Sequence, residues 1–140
     1  MSSALETMTD DEEPKMIGDE LEERVRRFAK TVVKVAMRMP RGRGSGHFAD
    51  QMLRSATRAE AHYSEARSSE SARDFVHKLA MVLKELRETF TWIDHSMEAD
   101  FIEADTAREL LAENDELIAI FCASRATAKR NLKAKEKKKN

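Results

Sequence analysis

The chain has 140 residues, of which 36 per cent are charged and 6 per cent aromatic, with four glycines and two prolines. That length suits one domain around one core, and the shortage of aromatics and turn residues excludes a strand-rich sandwich or barrel. The formal net charge of -1 hides an acidic head and a basic tail, which argues against a uniformly basic nucleic-acid binder.

The head carries Glu6, Asp10, Asp11, Glu12, Glu13, Asp19 and Glu20 against Lys15, and the tail Lys129, Arg130, Lys133, Lys135, Lys137, Lys138 and Lys139 against Glu136. The single cysteine, Cys122, can form no internal disulfide, which points to a reducing compartment. No apolar run nears the roughly 18 residues of a membrane span, and the acidic start is unlike a secretory signal. The expectation is a cytoplasmic protein with no membrane partner.

Residues 1–18 contain Pro14 and Gly18, lack periodicity and read as a flexible acidic arm. Asp19 offers an N-cap oxygen, followed by acidic residues in the first turn. The first helix is predicted over about 20–39, with Leu21, Val25, Phe28, Val32, Val35 and Met39 on one face. Pro40 and the Arg41 to Gly46 run form a link. The second helix is predicted over about 47–67, where Phe48, Met52, Ala56, Ala59, Tyr63 and Ala66 share a side. Its alanines let a neighbouring helix approach closely. Ser71, three residues before Asp74, resembles a capping box.

The third helix is predicted over about 72–97. Phe75, Leu79, Val82, Leu86 and Ile93 form one stripe, while Val76, Leu83, Phe90 and Met97 form a second at intervals of seven. Two stripes predict contact on two sides, the bundle core and another subunit. A turn follows in which Phe101 and Ile102 fold back over the bundle end. The fourth helix is predicted over about 105–131, capped by Thr106 with Glu109. The lysine-rich 133–140 reads as a frayed basic tail. Residues 19–132 thus form an all-α, antiparallel up-down-up-down four-helix bundle.

No motif carries catalysis or holds a cofactor. A di-metal bundle needs Glu-x-x-His from two helices, and Asp74 with His77 is a single near match. Cys122 has no paired base and reads as a small buried side chain. Arg41 to Gly46 is glycine-rich but follows a helix and lacks the Lys-Ser/Thr pair of a phosphate loop. The expectation is no metal, no cofactor and no enzymatic activity. Arg24, Arg27, Lys30, Lys34, Arg38, Arg41 and Arg43 form a candidate basic stripe for phosphates. The plainer reading is a solvated face, and Glu22 and Glu23 interleave with it.

The hairpin then becomes informative as a pattern. Gln51-Met52-Leu53-Arg54-Ser55, followed by Ala61 and Glu65, Ser71-x-x-Asp74-Phe75-x-x-Lys78-Leu79, Glu88-Thr89 and Trp92, resembles the four-helix-bundle family encoded within intervening sequences of bacterial large-subunit ribosomal RNA. The stretch from Ala123-Ser124 to Lys129-Arg130 is similar too. The resemblance covers about residues 20–131. It implies a cytosolic, non-enzymatic bundle that assembles as a ring-like homopentamer. A related branch comprises accessory proteins of diversity-generating retroelements, which bind reverse transcriptase and nucleic acid. By that analogy Arg54 and Arg58 are candidates for a basic surface meeting RNA, DNA or a nucleic-acid enzyme. The chain departs from the pattern at Arg58, His62 and Ala66, and at the bulkier Val82 and Leu86. Residues Arg54, Glu65, Asp74 and Glu88 also carry a structural expectation, inter-helix ion pairs that fix register.

Overall fold

The computed structural model of the protein describes residues 13–139. They form four helices: α1 (Glu13–Met37), α2 (Arg43–Arg67), α3 (Ala72–Glu98) and α4 (Ala104–Lys139). Each consecutive pair packs together, whereas α1 and α4 meet far less closely. Cross-helix pairs run in opposite order along the chain. Lys78 meets Glu65, Thr89 meets Ser55 and Ser96 meets Met52 between α2 and α3. Likewise Arg73 meets Glu136, and Arg87 meets Cys122, between α3 and α4. Short connections between long helices leave no other direction for the chain.

The core follows the predicted faces. Leu21, Val25, Phe28 and Val32 of α1 are buried, with Met52, Ala56, Ala59 and Ala66 of α2 and Leu79, Val82, Leu86 and Ile93 of α3. From α4 come Leu110, Leu117 and Phe121. Tyr63 meets Phe121 edge-on at 4.9 Å between centroids, an arrangement favoured by the ring quadrupoles. Burial pushes the Tyr63 phenol up to about 12. Ile102 is buried and Phe101 lies 5.7 Å from Phe48, so the α3–α4 turn does close that end. Ser71 caps α3 as predicted, its side chain accepting from the Asp74 amide at 3.0 Å.

The helix ends differ from the sequence-based limits. Helix α1 begins at Glu13, so the last residues of the expected arm are helical; the rest of that arm, residues 1–12, lies outside the described residues. Asp19 is no cap, because its carboxylate accepts from Arg67 at 2.7 Å. Gly42, at φ 142°, turns the chain into α2 four residues earlier than the pattern suggested. Gly44 and Gly46 then lie in the first turn, where the low helix propensity of glycine matters least. Helix α4 starts at Ala104, placing Thr106 inside the first turn instead of at the cap. It also continues to Lys139, so the basic tail is helical. Lysine is a good helix former, Leu132 is half-buried, and Glu136 pairs with Arg73.

The second stripe of α3 is the main correction. Val76 and Leu83 are 8% and 4% exposed within a single chain, and Phe90 and Met97 are half-buried. Helix α4 covers this side: Arg125 Nε donates to the Val76 carbonyl at 3.3 Å, and Leu83 borders Cys122, Arg125 and Ala126. Val76 and Leu83 are therefore not grease left over for a partner, and Met97 packs against the core. Leu83→Ala should cost about 2–5 kcal/mol of stability, read from urea unfolding followed by circular dichroism. A loss below about 1 kcal/mol would mean that α4 does not seal this side.

Candidate functional site

Two surfaces bear polar groups in excess of what the fold uses. The first is the exposed side of α1 and the link after it. Arg24, although predicted as part of this stripe, is drawn out of it. Its Nε and Nη2 donate to Glu113 at 2.8 and 2.7 Å, and Nη2 also reaches Glu116 at 3.0 Å. The hydrogen bonds to Glu113 hold the guanidinium above its ordinary range. This two-pronged grip is where α1 and α4 meet, so Arg24 acts as a structural clasp.

The other cations of the stripe are scarcely engaged by the described residues. Arg27 lies 3.9 Å from Glu23, near the limit of an ion pair. Lys30, Lys34, Arg38, Arg41 and Arg43 are exposed and make no salt bridge with another described residue. Helical spacing sets Arg27, Lys30 and Lys34 in one row, which Arg38 continues past the helix end. Upstream, the same row holds Glu20 and Glu23, so the ridge is acidic at the start of α1 and basic at its end. Such polarity also suits the helix dipole. The basic end of α4 adds exposed Lys129, Arg130, Lys133 and Lys135.

The second surface is the seam between α2 and α3. At its buried level the Ser55 and Thr89 hydroxyls are 2.7 Å apart. Ser55 Oγ also lies 2.8 Å from the Gln51 carbonyl, and Thr89 Oγ1 2.8 Å from that of Glu85. Each hydroxyl has one proton, so one donates across the seam while the other donates to its own helix. Two turns along α3, Ser96 Oγ donates to the Trp92 carbonyl at 2.7 Å and sits 3.7 Å from Met52 sulfur.

Nearer solvent the seam becomes charged. Glu65 Oε1 is 3.2 Å from His62 Nδ1 and 3.2 Å from Lys78 Nζ. The His62 hydrogen bond, ahead of Lys78, holds the Glu65 carboxyl below its ordinary range. Glu85 is the opposite case. It is buried, its Oε1 has no hydrogen-bond donor among the described residues, and His62 Nε2 stands 3.9 Å from its other oxygen. Burial pushes the Glu85 carboxyl up; Glu88 adds to the shift, and Arg58 and His62 oppose it.

Of the ion pairs expected to fix register, Glu65 does pair across the hairpin, with Lys78. Asp74 serves the α3 cap through its amide, and Arg54, Arg58 and Glu88 are exposed without a salt bridge to a described residue. Cys122 is exposed, not buried, with Arg87 Nη2 3.6 Å from its sulfur. Among the described residues no cluster of three His, Cys, Asp or Glu side chains is placed to hold a metal ion. Nor is any described helix long and apolar enough to cross a membrane. Sequence reading missed Glu85, Ser55 and Thr89. A signal existed: Val82, Thr89 and Ser96 recur at sevens, which puts two hydroxyls in phase with a core position.

A family model described as 23S rRNA-intervening sequence protein matches residues 20–123. A crystal structure from Bacteroides thetaiotaomicron, a protein of unknown function from the S23 ribosomal protein family, is similar at a TM-score of 0.73 and 22% identity. The match covers 78% of this chain and 97% of that one, and at this identity it shows a shared fold. No curated protein matches the chain.

The seam hydroxyls make a quantitative test of the site's inner level. Ser55→Ala, Thr89→Val and the double variant should yield a coupling energy of about 0.5–1.5 kcal/mol in denaturant unfolding. Strict additivity would contradict a hydrogen bond across the seam.

Proposed function

The chain belongs to the family of 23S rRNA-intervening sequence proteins, and from that premise we propose that it is a non-enzymatic, self-assembling scaffold that contacts nucleic acid, or an enzyme acting on it, in the cytoplasm. The observation that carries this reading is the row of unclaimed cations from Arg27 through Lys30, Lys34 and Arg38 to Arg41 and Arg43. Ion pairs consume Arg24, Arg26 and Arg67, yet among the described residues this row has no acidic partner beyond Glu23. A row of arginine and lysine at helical spacing can track successive phosphates and release their counterions. Arg54 and Arg58 on α2 would add to that surface or serve assembly. The number of subunits implied by the family resemblance is five.

A second reading, a scaffold for protein partners alone, is favoured by one observation. Glu85 and Glu88 set two carboxylates on the α2–α3 seam, where they would repel phosphate. The two readings differ in their response to salt. Fluorescence anisotropy with labelled RNA and DNA oligonucleotides separates them. If the cation row makes five phosphate contacts, affinity should fall by a factor of several hundred between about 50 and 200 mM salt. Reversing Lys30, Lys34 and Arg38 to Glu together should abolish binding without loss of helicity. A flat salt response, or a reversed variant that binds as before, would leave the protein-only scaffold.

A further inference from the structure

Aromatic side chains are scarce in this chain, yet five rings, two of them imidazoles, gather at one end of the bundle. His47 and Phe48 lie near the start of α2, Trp92 and His95 in the last turns of α3, and Phe101 in the turn after it. Ring centroids are 5.3 Å apart between His47 and Trp92, 5.4 Å between Phe48 and Trp92, and 6.1 Å between Trp92 and His95. The antiparallel hairpin brings them together, because the start of α2 runs beside the end of α3. The inner part of the cluster serves the fold: Trp92 packs against the core, and Phe48 and Phe101 are half-buried. His47 and His95 are exposed on either side of the indole. The cluster therefore presents ring surface to water.

This patch adjoins the basic link. Arg41 and Arg43 are exposed and make no salt bridge with another described residue, and Arg43 precedes His47 by about one helical turn. Helix α2 starts there with no side-chain cap and no acidic residue in its first turn, so its dipole adds to the positive potential. The ridge of Lys30, Lys34 and Arg38 leads to the same end of the bundle. A duplex keeps its base faces stacked inside and offers this end only phosphates, whereas a single strand offers both phosphates and faces that stack on aromatic rings. We propose that this end of the bundle is a stacking platform for single-stranded nucleic acid. Bases lie over His47, Trp92 and His95, and the sugar-phosphate backbone follows Arg41 and Arg43 onto the α1 ridge. Acidic residues set that course: Asp50 follows the rings on α2, and Asp94 and Glu98 accompany them on α3, so phosphates are drawn toward the link and away from the hairpin. This inference rests on the nucleic-acid contact proposed above, and it names the form of nucleic acid and the place of its bases.

Trp92 is the only tryptophan of the chain, so the platform carries its own probe. Full-length protein titrated with an unlabelled single-stranded oligonucleotide should lose indole fluorescence, and anisotropy with the labelled strand gives the affinity. An abasic strand of the same length keeps the phosphates and lacks the bases. It should bind at least about fivefold more weakly and leave the indole fluorescence unchanged. His47→Ala with His95→Ala replaces two exposed side chains and should fold, as checked by circular dichroism. This double variant should lose a similar factor toward the normal strand and none toward the abasic one. Equal affinity for the two strands without quenching would overturn the platform and leave phosphate tracking by α1 standing. So would a double variant that binds the normal strand as the wild type does. A polyglutamate peptide that displaces the strand and quenches Trp92 equally would assign the patch to acidic proteins instead. Failure of both strands to bind would overturn the nucleic-acid reading itself, and the platform with it.

Discussion

The close contact between α2 and α3 is the constraint on which the rest of the molecule depends. Ala56, Ala59 and Ala66 are buried and carry only a methyl group each, so neighbouring helices approach α2 without long side chains holding them off. At that separation Ser55 and Thr89 can share a hydrogen bond at 2.7 Å. Polar groups that must be satisfied at one spacing fix the register of a helix pair more tightly than interchangeable aliphatics do. The other two helices then have their positions set for them. Helix α4 lies along α3 and covers Val76 and Leu83, while α1 lies along α2.

The bundle closes less firmly on its fourth side. Between α1 and α4 the principal polar tie is Arg24 with Glu113 and Glu116, only partly shielded from water. A solvent-accessible ion pair of this kind contributes little compared with core burial. It follows that α1 is held chiefly by α2, through Leu21, Val25, Phe28 and Val32 and by Arg67 with Asp19 and Glu22. The outer side of α1 is then free to display cations that the fold does not use. The polar excess of the molecule is thus divided: a basic ridge on α1, and a seam on the central hairpin where Glu85 and Glu88 lie near arginine.

Much of this was legible in the sequence. Four helices, their core faces, the Ser71 cap and the folding back of Phe101 and Ile102 follow from periodicity and capping chemistry, which act within a few residues. The ends of α1 and α4 were less legible, because charged residues that look like tails are also good helix formers and gain a partner at Glu136. The second stripe of α3 misled for a different reason. Heptad spacing shows that Val76, Leu83, Phe90 and Met97 share a side, but not whether a neighbour is α4 or another chain. The fate of single charges was least legible of all. Arg24 and Lys30 look alike in the sequence, yet one faces two glutamates on a helix nearly ninety positions away and the other faces water. Glu85 resembles its exposed neighbours until tertiary packing covers it.

The order of stability among the helices puts the primacy of the α2–α3 contact to the most direct test. Native-state hydrogen exchange on the full chain resolves it residue by residue. Amides of α2 between Met52 and Ala66, and of α3 between Leu79 and Ile93, should exchange only through global unfolding. Those of α1 should open at distinctly lower free energy, since α1 is bound mainly on one side. Protection in α1 equal to that of the hairpin, or a hairpin that opens before α1, would contradict the central role assigned to that contact.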